Sequence, residues 1–165
     1  MVNVWAGIIG NNLIGPFVFE ERLNGEIYLQ FLQQNLNNLL EDVPLDRRMQ
    51  MWYMHDGAPP HFNRLVRQHL TNVFGPRWIG RGGPVLWPPR SPDLNPLDFY
   101  FWGHLKELVY STPVNSREQL LARITQHSNE VRHNAGILFA VQRENLRRLR
   151  KCIEVRGAHI EQLPK

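Results

Sequence analysis

An α/β domain with a mixed sheet is the fold the sequence predicts. Three observations predict it: paired apolar runs around a turn at the start, helix-period stripes after them, and a short aromatic run ended by turn residues. With 165 residues, 42% of them hydrophobic, the chain can bury one core, so a single domain is expected.

Val2, Val4, Ala6 and Ile8 alternate with mixed partners, Gly10 to Asn12 make a turn, and Leu13 to Phe19 form a second apolar run. This is a β-hairpin pattern. From Gly25 to Asp42, the spacing of Tyr28, Phe31, Leu32, Leu36, Leu39 and Leu40 predicts one amphipathic helix, ended by Pro44. Met49 to Met54 is short, continuous and aromatic, and reads as a buried strand that delivers Asp56 at its C-terminal end. Pro59 and Pro60 suit the first turn of a helix carrying Leu65, Val66, His69, Leu70, Val73 and Phe74, stopped by Gly75 and Pro76. Trp78 and Ile79 make one more short strand.

Arg81 to Pro96 holds the clusters GGP, WPP and SPDLNP and is expected to be irregular backbone on the surface, of a length that loops reserve for function or mobility. A helix resumes with Asn95 as N-cap, Pro96 at the first helical position, Asp98 in the first turn, and an apolar stripe of Phe99, Trp102, Leu105 and Val109. Ser116 caps another helix bearing Leu120, Leu121, Ile124 and Val131, and a last helix runs through Val141, Leu146, Leu149 and Ile153. Residues 1–112 are thus expected to form the α/β core and 113–165 a helical extension of the same domain.

Composition excludes several classes. Cys152 is the only cysteine, so no internal disulfide framework exists and a reducing compartment fits. No stretch approaches the roughly 18 apolar residues that span a bilayer, and MVNVWAGIIG lacks the basic region of a signal peptide. The net charge of +4 suits a polyanionic partner without requiring one. Its distribution says more, because Arg143, Arg147, Arg148, Arg150, Lys151 and Arg156 crowd one segment. Such a cluster is either a solvated helix face or a surface that holds a duplex backbone, with Arg143, Arg147, Arg150 and Lys151 as the candidates for phosphate contact.

Two acids stand out by position. Asp56 ends the strand in HDGAPPH, and Asp98 opens a helix at the end of SPDLNPLD. Carboxylates at a strand end and a helix start, brought together by a sheet, can bind Mg²⁺ or Mn²⁺, because these hard cations take oxygen ligands. Each acid also has a plainer reading: Asp56 beside Gly57 as a turn residue or cap, and Asp98 as a complement to the helix dipole. His61 reads first as structural, and Trp87 and Trp102 as core and loop anchors, with base stacking an alternative for Trp87.

The surrounding wording decides between these readings. DGAPPH (Asp56 to His61), WPPRSPDLNPLDFYFWG (Trp87 to Gly103) and LKELVY (Leu105 to Tyr110) resemble the signature of the mariner superfamily of transposases, whose catalytic domains carry a DDD or DDE triad. The likeness extends upstream through VWAGI and LIGPFVF and downstream through the arginine-rich helix to GAHIE. It implies a ribonuclease H-like fold with flanking helices, in which Asp56 matches the second triad acid and Asp98 the third. It also implies Mg²⁺ or Mn²⁺ as cofactor, DNA as partner, a nuclear location (otherwise cytoplasmic), and cleavage of DNA followed by strand transfer. Asp93, inside the same phrase, is read as turn-stabilising.

One departure is expected to matter. Domains of this family begin with a strand bearing the first catalytic Asp, upstream of the VWAGI-like hairpin, and Met1 already lies at that hairpin. The first strand and its carboxylate are therefore expected to be missing, together with the preceding helix-turn-helix segments. Glu20 and Glu21 are the nearest acids to consider as substitutes, though nothing in the resemblance places them at a metal. Two functions follow. One is a transposase-derived nuclease with Asp56 and Asp98 as metal ligands, for which cleavage by this chain alone is not expected; the other is a non-catalytic, domesticated DNA- or protein-binding module. A homodimer, or association with a full-length transposase, is the protein partnership expected.

Overall fold

The computed structural model describes residues 2–157, so the AHIE part of GAHIE lies outside the described residues. The chain divides into two compact units. One gathers Val18–Arg90 with the start of the first strand; the other gathers Trp5–Phe17 with the residues from Ser91 onward.

β1 (Asn3–Ile9) and β2 (Asn12–Phe19) pair as a two-stranded sheet. Gly10 and Asn11 alone connect them, which permits only an antiparallel hairpin, and Gly10 takes the positive φ of 56° that such a turn needs. Within the second unit, the guanidinium of Arg132 clamps the hairpin by donating to the carbonyls of Leu13 and Gly15.

In the first unit, α1 (Gly25–Gln34) is capped by Asn24, whose side chain accepts from the amides of Glu26 and Ile27, and it buries Tyr28, Phe31 and Leu32. The single helix expected to Asp42 is in fact broken at Asn35. A short turn, α2 (Leu36–Leu39), follows, and α3 (Leu45–Gln50) starts directly after Pro44. Asn35, Asn37 and Asn38 have low helix propensity and weaken helical continuity, yet Leu36 and Leu40 stay buried, so the apolar spacing holds where the helix does not.

The run Met49 to Met54 is the larger correction. Only Tyr53–Met54 is extended (β3), Met49 and Gln50 belong to α3, and Met49 and Trp52 are 64% and 53% exposed. Pro44, with its fixed φ, starts a helix and draws the first half of the run into it; the amide of Arg48 bonds the carbonyl of Pro44.

β3 pairs in parallel with β4 (Trp78–Gly80), and β4 with β5 (Val85–Leu86), in the order β3-β4-β5. Tyr53 faces Trp78 and Met54 faces Ile79. Pro59 and Pro60 lie in a separate 3₁₀ turn over Pro59–Phe62, and α4 (Arg64–Phe74) begins afresh with Asn63 as its cap. Gly75 ends α4 with a φ of 60°. Val66, Leu70 and Phe74 are buried, Phe74 stacking on Tyr53, whereas Leu65 and Val73 are exposed.

The stretch expected to be wholly irregular carries β5 and a 3₁₀ turn over Pro92–Leu94, and its end does not run over the surface, since Asp93, Leu94 and Asn95 are buried. Asn95 caps the next helix as expected, its side chain accepting from the amide of Leu97 at 3.1 Å. That helix opens with a π-helical turn, Leu97–Phe101, and continues as α5 (Trp102–Val109). Phe101 is its most buried residue, alongside Leu105 and Val109. α6 (Arg117–Arg132) is capped by Ser116. From α6, Arg123 reaches the carbonyls of Val109, Thr112 and Pro113 and so satisfies the end of α5.

α7 (Ala135–Glu154) buries Leu138 and Val141, but the predicted continuation of the stripe is on the outside: Leu146, Leu149 and Ile153 are exposed. Periodicity marked one apolar face, and packing takes up only its first two turns. We therefore expect Leu138→Ala, at a fully buried position, to cost about 2–5 kcal/mol in urea unfolding. Leu146→Ala, 54% exposed, should stay within about 0.5 kcal/mol of wild type; equal losses would contradict this packing.

Candidate functional site

Asp56 lies two residues beyond β3, where a parallel strand runs out into a turn. Its Oδ1 accepts from the Ala58 amide at 3.0 Å and from His61 Nδ1 at 2.6 Å. A carboxylate only accepts, so the imidazole must carry its hydrogen on Nδ1. The Asp56 side chain is 40% exposed. Its pKa is lowered, first by the His61 hydrogen bond and then, against a raising contribution from burial, by the Ala58 amide and the charges of the two histidines. The group is a fixed, anionic carboxylate open to solvent.

Beneath it is a cluster that sequence reasoning did not find. His55 is buried, and its ring stacks on His61 with centroids 4.7 Å apart and planes within 6°. His55 Nδ1 lies 3.3 Å from the Tyr28 hydroxyl, which lies 2.7 Å from that of Tyr53. Tyr28 also covers His61, at 4.5 Å between centroids. His61 is therefore no lone histidine: it joins the strand end to α1 through aromatic contact and holds Asp56 through its ring nitrogen. The available signal was the alternation Tyr53, His55 on one strand face; the contribution of Tyr28 is long-range and leaves no local mark.

His55 Nε2 is buried with no hydrogen-bond partner among the described residues. Gly80 lies against it, so a Cβ there would come within 2.5 Å of the ring. Burial, with the neighbouring His61, pushes the His55 pKa down from 6.5 to about 3.

In the second unit, Asp98 is exposed in the first turn after Pro96, and its Oδ2 accepts from Asn95 Nδ2 at 2.8 Å. Asn95 thus serves both the helix amide and the acid. Asp93 does not stabilise its turn as expected. It is 5% exposed, and its Oδ1 is buried without a partner among the described residues, while the turn closes through backbone bonds from Leu94 to Ser91 and from Asn95 to Pro92. Glu20 and Glu21 are exposed residues at the end of β2, on the same unit as Asp56. Among the described residues, no three side chains of the His, Cys, Asp or Glu type converge as a metal-binding group.

The basic helix separates into two kinds of residue. Arg148 is committed to structure: it stacks on Phe99 at 4.4 Å, bonds the Asp93 carbonyl and pairs with Glu144. Arg147 pairs with Glu144 and Lys151 with Glu154. Arg143 and Arg150 are exposed, with no ion pair among the described residues.

No family model matches the chain. Human histone-lysine N-methyltransferase SETMAR is 24% identical over 170 residues, which cover 98% of this chain and 22% of SETMAR. The chain therefore spans under a quarter of that relative's length. Among solved structures, the catalytic domain of Mos1 mariner transposase is similar with a TM-score of 0.75 and 19% identity, covering 96% of this chain and 82% of the other. The same domain with raltegravir and Mg gives 0.78 and 20%, covering 96% and 77%. The Mos1 paired end complex with Mn gives 0.74 and 21%, covering 92% and 42%.

The fold is that of a mariner-type transposase catalytic domain. The ribonuclease H-like α/β class expected from the sequence is thereby met, with the strands here grouped in two small sheets.

Within this mariner-type fold, His55 makes stability depend on pH. Above 6.5 the ring is neutral in both folded and unfolded chains; below it the unfolded chain takes a proton that the folded chain refuses until about 3. Stability is fully present above 6.5 and is lost as pH falls through that window. Asp56 adds a loss of the same sign only below 3.8. Between about pH 6 and pH 4 the wild type should therefore lose up to about 1.4 kcal/mol per pH unit more than His55→Gln. Parallel urea-unfolding profiles for the two proteins would refute it.

Proposed function

We propose that the chain is a transposase-derived DNA-binding domain of mariner descent, whose ancestral chemistry is metal-dependent cleavage and strand transfer of DNA. Asp56 and Asp98 are its carboxylate ligands for Mg²⁺ or Mn²⁺, and residues 113–165 are a C-terminal extension of the same domain. The carrying observation is the Asp56 carboxylate, held anionic and open to solvent just past the C-terminal end of a parallel strand. Ligands of α/β sheets gather outside such strand ends.

The residues fit the cation. Carboxylate oxygens are the hard donors that Mg²⁺ and Mn²⁺ take, and Asp56 spends both hydrogen bonds on Oδ1, which leaves Oδ2 for a metal. A bound cation of this kind polarises a phosphodiester and neutralises charge on its oxygens. The protein's own part is placement. His61 and the Ala58 amide hold Asp56 in one orientation, and Asn95 holds Asp98 at the start of its helix. Mos1 structures with Mg and with Mn support the choice of metal, and the Mos1 paired end complex supports DNA as partner. The resemblance to mariner transposases favours a nuclear location, with the cytoplasm as the alternative.

The exposed arginines of α7 favour a second reading, a DNA-binding module without catalysis. Metal binding and nicking separate the two. Mn²⁺ affinity, followed by the spectrum of the free ion, should fall about tenfold or more in Asp56→Ala and in Asp98→Ala, the effect of losing about 1.4 kcal/mol of ligand interaction. Unchanged affinity in both removes these acids from the site. Nicking of supercoiled DNA that requires Mg²⁺ or Mn²⁺ and vanishes in Asp98→Ala assigns the enzyme; no cleavage above that variant's background leaves the binding module.

DNA affinity itself should fall with salt. Removing Arg143 and Arg150 together should flatten the dependence of log affinity on log salt by up to about 1.8, the share of two phosphates. A slope identical to wild type takes α7 out of the interface.

A further inference from the structure

Phe62, at the end of the 3₁₀ turn that follows Asp56, is partly exposed and carries two guanidinium groups on one ring. Arg67, from α4, lies 4.6 Å from the ring centroid, and Arg81, just after β4, lies 4.1 Å from it. Neither has a carboxylate partner among the described residues, and Arg67 Nε is buried with no acceptor there. The backbone is shaped around the pair. Gly82 has a φ of 73°, and a Cβ there would come within 3.0 Å of Arg67 Nη1 and 3.1 Å of the Phe62 ring. Arg81 runs past Gly57, the residue after Asp56, where a Cβ would meet its side chain at 3.8 Å.

Two like charges gathered on one ring repel each other, and the ring's negative face offsets this only in part. An anion between the guanidiniums completes the arrangement. Arginine forks match phosphate oxygens in pairs, and stacking on Phe62 removes rotamer freedom that binding would otherwise have to freeze.

We propose that Arg67, Arg81 and Phe62 form a phosphodiester seat beside Asp56, which holds one phosphate of a bound DNA strand. The proposal rests on the reading of this chain as a DNA-binding domain. It does not depend on the metal or on α7.

The test is fluorescence anisotropy with a short DNA duplex over a salt series, without divalent ions, on the full chain. Because both arginines serve one phosphate, Arg67→Ala with Arg81→Ala should reduce the log–log salt slope by about 0.9, not twice that, and weaken binding about tenfold at low salt. Phe62→Leu keeps both charges and an apolar side chain, so it should weaken binding several-fold with the slope unchanged. Thermal unfolding of Phe62→Leu and of Arg81→Ala alone should match wild type, since Phe62 and Arg81 are exposed, and Arg81→Ala alone should already weaken binding if the double variant is destabilised through the part-buried Arg67. Pyrophosphate should compete for the seat in wild type and lose that ability in the double variant. A double variant that keeps the wild-type affinity and slope, while removal of Arg143 and Arg150 weakens binding, overturns the seat and leaves the DNA reading intact. Poly-glutamate competing as well as pyrophosphate, through the same two arginines, overturns the assignment to phosphate. A wild-type chain with no salt-dependent affinity for DNA sinks the DNA reading and the seat together.

Discussion

The hydrogen bond between His61 Nδ1 and Asp56 Oδ1, 2.6 Å long, closes the six-residue segment from Asp56 to His61 on itself in the first unit. One end of this loop leaves β3 and the other leads through the 3₁₀ turn to α4. The Ala58 amide adds a second bond to the same Asp56 oxygen, and the His61 amide closes the turn on the Ala58 carbonyl. The ring that makes the bond is in turn held by packing. His55 stacks beneath it, Tyr28 covers it, and the Tyr28 and Tyr53 hydroxyls bond each other. A buried neutral histidine suits this position. A charged His55 would repel a proton on His61 and would have to lose its hydration at a buried Nε2 that has no hydrogen-bond partner among the described residues. Stability is given up at mildly acidic pH so that a surface carboxylate has one orientation.

The arginines show how a modest net charge can still be informative. Arg123, Arg132 and Arg148 end on backbone carbonyls and hold the second unit together. They replace missing caps and turn contacts, a task suited to a planar group with five donors. Arg147 is tied to Glu144. Arg143 and Arg150 on α7, and Arg67 and Arg81 on Phe62, have no such ties among the described residues. Residue counts cannot separate these groups, since only the partner of each guanidinium tells them apart. A basic segment in sequence was thus partly a structural device and partly a surface.

Legibility followed the range of the interactions. The caps at Asn95 and Ser116 and the stop at Gly75 depend on neighbours within four residues, and were readable. So was the position of Asp56 at a strand end, because turn residues follow it directly. Met49 and Gln50 are helical rather than extended because Pro44 starts a helix that absorbs them, and the long helix to Asp42 is interrupted where three asparagines, poor helix formers, crowd four positions. The exposed end of the α7 stripe was invisible because periodicity reports which residues share a face, not how far another element covers it. The cluster under Asp56 needs residues from α1, β3 and the 3₁₀ turn, and no spacing rule links Tyr28 to His61.

SPDLNP-x-Asp was the most specific phrase in the sequence, and the structure explains its wording residue by residue. Pro92 opens the 3₁₀ turn, and Pro96 sets the helical φ at the start of the next helix. Asn95 is the only member whose side chain both caps that helix and bonds Asp98, so an aspartate there would lose the amide donor that the acid accepts. Asp93 sits buried with one oxygen unpaired, while its carbonyl takes the Arg148 guanidinium. An unpaired buried carboxylate oxygen costs about 1–3 kcal/mol, which the turn alone gives no reason to spend. The phrase therefore does two things: Asn95 and the prolines place Asp98, and the backbone of Asp93 anchors the arginine-rich helix to the same turn. The two acids that the resemblance matches to the triad are thus oriented differently: Asp98 accepts from Asn95 three residues away, whereas the His61 ring that holds Asp56 is itself packed by Tyr28 from α1.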